Sequence, residues 1–233
     1  MRIAIIPARG GSKRIPRKNI LPFRGKPMIA WSIQAALDSG CFDDVIISTD
    51  DVEIANVAIE YGASVPFMRP AELSDDYTGT IPVLRHTLEM MEGLLGKQIQ
   101  EACCIYATAP FVTSNILKQG MEVLLSDQKL DFAFSVASYP FPIQRSLKVT
   151  PDNRVDMVYP EHEQTRSQDL PERYHDAGQF YWFRRNGVLN NEGIFSANSA
   201  PVMLPRERVQ DIDTPEDWRC AELAHELLEI KNL

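Results

Sequence analysis

Five cationic side chains, Arg9, Lys13, Arg14, Arg17 and Lys18, fall within ten consecutive residues of a chain whose net charge is -8. The stretch reads IIPARGGSKRIPRKN from Ile5 to Asn19 and contains Gly10 and Gly11. Glycine lets backbone N–H groups approach anionic oxygens, and Arg9 and Lys18 add charge, so the chemistry on offer is the binding of a polyphosphate. The alternative is a solvated turn whose charges offset acidic neighbours. The spacing is neither that of a Walker phosphate loop nor that of a Gly-x-Gly-x-x-Gly dinucleotide turn. Far along the chain, Asp211 and Asp213 alternate in an extended segment, which points both carboxylates the same way and suits a hard divalent cation such as Mg2+. Helix capping is the rival use for acids at this place, and Asp217 fits it better than either. The four histidines, His86, His162, His175 and His225, lack metal-site spacing, and no Ser-His-Asp signature occurs.

The elements that would position these groups alternate. Arg2 to Ile6, Val45 to Ser48, Ala102 to Ala107 and Phe132 to Ala137 read as buried strands. Pro27 to Ser39, Asp51 to Tyr61, Ile81 to Leu95 and Ser114 to Leu125 have helical spacing between them. In Asp51 to Tyr61 the apolar face is expected at Val52, Ala55 and Ile59. The alternation predicts an α/β fold with a mostly parallel, Rossmann-like sheet covered by helices. In such sheets ligands bind at the carboxyl ends of strands, which is where the basic stretch would lie. From Ser138 to Tyr174 the rhythm breaks over five prolines, and Leu147 to Val149 with Val155 to Val158 read as a hairpin around Pro151-Asp152-Asn153. Residues 138–174 are therefore an expected insertion within a single domain, 1–233. Strand character returns at Gly178, and a helix starts at Thr214 with Pro215 in its first turn and Asp217 completing a capping box.

Composition narrows the function. Apolar residues make up 44% and charged residues 24%, as in ordinary globular domains, and no apolar run is long enough to cross a bilayer. A pI near 5.1 argues against a nucleic-acid-coating protein. Met1 to Ile6 reach Pro7 and Arg9 too soon for a signal peptide, so a cytoplasmic location is expected. Cys41, Cys103, Cys104 and Cys220 form no Cys-x-x-Cys pair and read as buried thiols.

The order of residues adds a resemblance. PARGGSKRIPRKN followed by GKP resembles the signature of the sugar-nucleotidyltransferases, in particular the cytidylyltransferases that activate eight- and nine-carbon keto-acid sugars. STDD from Ser48, RPAELSDD from Arg69, TAP from Thr108 and DIDTPEDW from Asp211 follow in the family's order, so the likeness covers essentially the whole chain. It implies that Ala8, Arg9, Gly10, Gly11, Ser12 and Lys18 hold the triphosphate of CTP. It also places Asn19, Arg69 and the segment Thr78, Gly79, Thr80 around cytosine and ribose. A plain turn role for Asn19 and a surface ion pair for Arg69 stay open. By the same resemblance Arg9, Lys18, Asp211 and Asp213 carry catalysis, with the two aspartates as Mg2+ ligands. The implied reaction is in-line attack of the sugar's anomeric hydroxyl on the α-phosphorus of CTP, with no protein nucleophile.

For the sugar, ATAP and YHDAGQFYW (Tyr174 to Trp182) resemble the pseudaminic acid branch, whereas the sialic acid branch carries a glutamine where this chain is expected to place Ala107. The resemblance assigns Ala107, Thr108, Arg166, His175 and Gln179 to the sugar, and makes 138–174 a dimerisation element. The expected partners are CTP, a nonulosonic acid and a second copy of the chain, with no nucleic acid or membrane. N-acetylneuraminic, legionaminic and 3-deoxy-octulosonic acids are the competing substrates, and a non-catalytic nucleotide-binding regulator is the competing class.

Overall fold

The computed structural model describes residues 1–231. Branched, doubly buried side chains make β1 (Arg2–Pro7) a central strand, since a strand covered on both faces has no polar side to turn outward. The short ribbon β2 (Pro22–Phe23) and β3 (Lys26–Pro27) leads into α1 (Met28–Ser39), which ends where Gly40 takes a left-handed φ of 61°. The chain continues through β4 (Asp44–Ser48), α2 (Val52–Glu60), α3 (Thr80–Leu95), β5 (Glu101–Ile105), α4 (Ser114–Ser126) and β6 (Phe132–Ser138). After the ribbon β7 (Leu147–Val149) and β8 (Val155–Met157) come β9 (Tyr174–Arg184), α5 (Arg185–Asn190), β10 (Ser199–Met203) and α6 (Pro215–Lys231).

Six strands form one sheet in the order β10-β6-β9-β5-β1-β4. The pairings of β1 with β4 and β5, and of β6 with β10, are parallel; β9 runs antiparallel between β5 and β6. The expected α/β, mostly parallel architecture is therefore present. Among the described residues no helix is long and apolar enough to cross a membrane.

Alternation along β9 supplies both faces of the core. Phe180 and Trp182 join the layer under α1 and α4, while Tyr181 and Phe183 join the layer under α3. Gly120 permits the first of these: a Cβ there would stand 2.6 Å from the Trp182 ring and 2.7 Å from that of Phe180. A third cluster packs Trp218, Ala221 and Leu228 of α6 against Phe23, Met28 and Phe111. It seats the segment before α6 beside the loop after β1. Thr214 and Asp217 cap that helix reciprocally, the Asp217 N–H donating to Thr214 Oγ1 (3.2 Å) and the Thr214 N–H to Asp217 Oδ2 (2.8 Å).

Some expectations need correction. In α2 the buried side chains are Ile54, Ala55 and Ala58, whereas Val52 and Ile59 are exposed, because the helix is rotated to turn Ile54 and Ala58 into the core layer that holds Val45 and Ile47 of β4. Strand β9 begins at Tyr174, four residues ahead of Gly178, and the edge strand β10 has no counterpart in the sequence reading. Pro201 disguises β10, yet an edge position tolerates the missing donor. Cys220 is exposed, unlike the other three thiols.

Candidate active site

The loop after β1 emerges at the carboxyl edge of the sheet, where the Ala8 N–H donates to the Ser48 carbonyl (3.0 Å) and joins it to the end of β4. Arg9, Ser12, Lys13, Arg14, Lys18 and Asn19 from this loop line a cavity of about 420 Å³. Ala107 and Thr108 from the end of β5, and Asp213 from the segment before α6, complete it together with Tyr106 and Asp76. Four stretches that are distant in sequence thus meet, as predicted for the strands' carboxyl ends.

The four cations of this cavity share two carboxylates. Arg9 donates to Asp76 Oδ1 (2.7 Å) and to the Asp75 carbonyl (2.7 Å), and Lys13 takes the other oxygen of Asp76. Arg14 pairs with Asp213 Oδ2 (2.8 Å), and Lys18 with Asp213 Oδ1 (3.3 Å). These contacts hold Asp76 below the usual carboxylate range, through the hydrogen bonds from Lys13 and Arg9. Four positive charges against two negative ones leave an excess that a polyanion would complete.

The remaining loop groups support this arrangement. Asn19 is buried and donates its amide to the Arg9 carbonyl (2.9 Å), so it holds the turn and lines the cavity at once. Gly10 donates its N–H to Asp50 Oδ1 (3.0 Å), and Gly11 is exposed. Ala8 belongs to the apolar core. Arg69 is buried behind the loop, its closest carboxylate being Asp50 at 3.8 Å, too far for a hydrogen bond. Burial pushes its guanidinium down from the ordinary value, and the ion pair considered for it is formed with Asp50 by a buried side chain rather than at the surface. Thr78 donates its N–H to Asp75 Oδ1 (2.7 Å), Gly79 directly precedes α3, and Thr80 Oγ1 lies 2.8 Å from the Tyr106 hydroxyl. These three border the cavity rather than line it.

A second cavity of about 410 Å³ adjoins the first and shares Tyr106 and Thr108 with it. Its far wall comes from an irregularity in β9: the register with β6 shifts between Phe134 and Val136, and Gly178 takes φ 62°. The buried Ser135 hydroxyl accepts the Gln179 and Phe180 N–H groups (3.3 and 3.2 Å) that the interruption leaves without ladder partners. The displaced turn carries His175 and Asp176 into the cavity. Asp176 accepts the Gly178 N–H (2.9 Å) and the Tyr181 hydroxyl (2.6 Å). Burial pushes the phenols of Tyr106 and Tyr181 up, so both remain neutral donors.

Ile212, buried between them, turns Asp211 and Asp213 outward as alternation requires, but each lines its own cavity, Asp213 the first and Asp211 the second. Partial burial, and next the charge of Asp213, push the Asp211 carboxyl up. Its oxygens accept no hydrogen bond among the described residues. Carboxylate oxygens are hard donors of the kind that Mg2+ takes, one or two at a time, together with substrate oxygens and water, and those of Asp211 are not engaged by a cation at hydrogen-bond distance among the described residues.

Two of the expected sugar residues lie elsewhere. Gln179 is buried and gives its amide to the Arg208 carbonyl, outside both cavities. Arg166 lies between β8 and β9, ion-paired with Asp169 at 2.7 Å. Conversely Tyr106, Asp176, Tyr181 and Asp76 entered no sequence-based assignment. Tyr106 follows β5 at the sheet's carboxyl edge, a position that could have singled it out.

Comparison with known proteins gives the chain a family. The cytidylyltransferase family profile covers residues 3–232. A pseudaminic acid cytidylyltransferase of Campylobacter jejuni is 45% identical over 226 residues, 97% of this chain and 96% of that protein. A CMP-N,N'-diacetyllegionaminic acid synthase of Legionella pneumophila is 32% identical over 230 residues, 97% and 96% of the two chains. The solved structure of a CMP:2-keto-3-deoxy-manno-octonic acid synthetase complexed with CTP superposes with a TM-score of 0.70 at 19% identity, covering 100% of this chain and 99% of that one, a likeness of fold. By the profile and the full-length identity together, the chain belongs to the cytidylyltransferase family.

Proposed function

We propose that this cytidylyltransferase transfers CMP from CTP to the anomeric hydroxyl of pseudaminic acid, releasing pyrophosphate. The observation that carries the reading is the pair of adjoining cavities joined at Tyr106 and Thr108, one basic and one lined by His175, Asp176 and two tyrosines. Such a pair suits a nucleoside triphosphate and a polar, partly apolar sugar acid placed end to end. The full-length relative at 45% identity supports pseudaminic acid as that sugar.

In this reading Arg9, Lys13, Arg14 and Lys18 bind the triphosphate and neutralise charge on the departing pyrophosphate. The anomeric oxygen forms a bond to the α-phosphorus as the bond to the bridging oxygen of pyrophosphate breaks, a displacement that depends on positioning and electrostatics rather than on a protein nucleophile. Asp211 and Asp213 would hold Mg2+. When bound, that ion supplies charge neutralisation at the phosphates. His175 and Thr108 face the sugar, and the neutral phenol of Tyr106 keeps the shared wall free of charge.

The reading extends to assembly. Leu147, Val149 and Val155 on the 138–174 hairpin are 61, 73 and 65% exposed, and an apolar ribbon standing off its own sheet suits a second copy of the chain. In a homodimer Arg166 would have a neighbouring subunit within reach. Light scattering after gel filtration tests this, and a monomer at micromolar concentration rejects it. A cytoplasmic location follows from the need for CTP, and cell fractionation checks it.

The test of function is pyrophosphate release from CTP and Mg2+ with pseudaminic, N-acetylneuraminic, legionaminic and 3-deoxy-octulosonic acids supplied separately, each product identified by mass spectrometry. Turnover confined to pseudaminic acid supports the proposal. Turnover confined to another acid overturns the assigned sugar, and silence with all four overturns the assigned activity.

A further inference from the structure

Arg17 is one of the five cations of the loop after β1, yet it does not line the basic cavity. Its backbone takes a left-handed φ of 57°, which a residue with a side chain holds when its surroundings over-determine it. Those surroundings are acidic: the guanidinium grips both oxygens of Asp51 and also reaches Glu53. Asp51 is itself fixed, because its carboxylate caps α2 by accepting the Glu53 and Ile54 N–H groups (2.9 and 3.1 Å). The other end of the loop meets the same residue. A Cβ on Gly10 would stand 2.5 Å from Asp51 Oδ2, so the backbone there lies directly on this carboxylate. The neighbouring Asp50 holds the Gly10 N–H.

The loop is thus fastened at Gly10 and at Arg17 to the start of α2, and residues 11–16 between those points carry Ser12, Lys13 and Arg14 to the cavity. We propose that Arg17 and Asp51 are positioning residues for the nucleotide, a clamp that holds the loop in its binding conformation without touching the ligand. This rests on the reading of the basic cavity as the triphosphate site. Without the clamp the loop samples other conformations, and the apparent affinity for CTP falls by the fraction of time spent away from the competent one.

The test uses the full chain with the wild-type protein measured first, since failure of wild-type turnover speaks to the proposed function and not to the clamp. Arg17→Ala removes the cation from a half-exposed site, and Asp51→Ser keeps a capping oxygen while removing the charge. If the competent fraction falls to roughly a tenth, each variant raises the KM for CTP about tenfold with kcat and the sugar KM within about twofold of wild type. The double variant should then be no worse than either single one, because both break one contact. Calorimetric titration with CTP in the absence of sugar should show the same loss of affinity. An unchanged KM for CTP, a fall in kcat alone, or additive effects of the two substitutions would each overturn the clamp.

Discussion

The Lys18 ammonium donates to the Ile212 carbonyl at 2.6 Å and lies 3.3 Å from Asp213 Oδ1, so the loop after the first strand is tied directly to the segment preceding the last helix. The contact joins residues 194 and 195 positions apart in sequence, and it is held in place by the packing of Trp218 and Leu228 against Phe23. The basic loop and one of the two proposed metal ligands, Asp213, are therefore linked by a direct contact.

If Asp213 serves as proposed, Asp213→Asn lowers kcat by about a hundredfold or more, the scale of losing a group that stabilises transition-state charge. Thermal melting should change little, since the side chain is partly exposed, Arg14 can be solvated and Lys18 keeps its hydrogen bond to the Ile212 carbonyl. Chelation of divalent ions should abolish wild-type turnover, and added Mg2+ should restore it. Stopped assays with and without chelator check both statements.

Asp76 holds Arg9 and Lys13 in the cavity that is assigned to the triphosphate, so CTP must displace it. Asp76→Asn should lower the KM for CTP by roughly two- to fivefold, the modest scale expected of exposed ion pairs. The effect should shrink as ionic strength rises. Initial rates at two salt concentrations measure it, and a raised KM would mean that Asp76 aids the nucleotide instead.

Glycine inside a helix is normally improved by alanine, but Gly120 lies against the rings of Trp182 and Phe180. Gly120→Ala should destabilise the protein by about 1–3 kcal/mol, because the new methyl group has no room. Urea titration followed by tryptophan fluorescence reads the change.

The hydrogen bond from Arg17 holds Asp51 below its ordinary value of 3.8, with further support from the Ile54 and Glu53 N–H groups. A carboxylate depressed by folding adds stability above its unfolded pKa and loses it as pH falls through the folded one. The difference in Tm between wild type and Asp51→Ser should therefore be full near neutral pH and narrow as pH drops below about 4. A difference that grows on acidification would contradict the sign.

Local signals were enough to place β1, β4, β5 and β6, the helices between them, the capped start of α6 and the basic loop, because alternation, helical spacing and turn residues act over a few neighbours. The adjoining family motifs were legible for the same reason, including Arg9, Lys18 and Asp213, which do reach one cavity. Strand β10 was hidden because its edge position, not its composition, permits Pro201. The buried face of α2 was misjudged because rotation of a helix is set by what it packs on. Tyr106, Asp176 and Tyr181 became visible only when β9 inserted antiparallel between β5 and β6 and shifted register around Gly178. Likewise Arg17 separates from its four cationic neighbours solely because the loop's path turns it toward Asp51. Spacing names the charges available to a site; long-range packing decides which of them face the ligand and which hold the backbone that does.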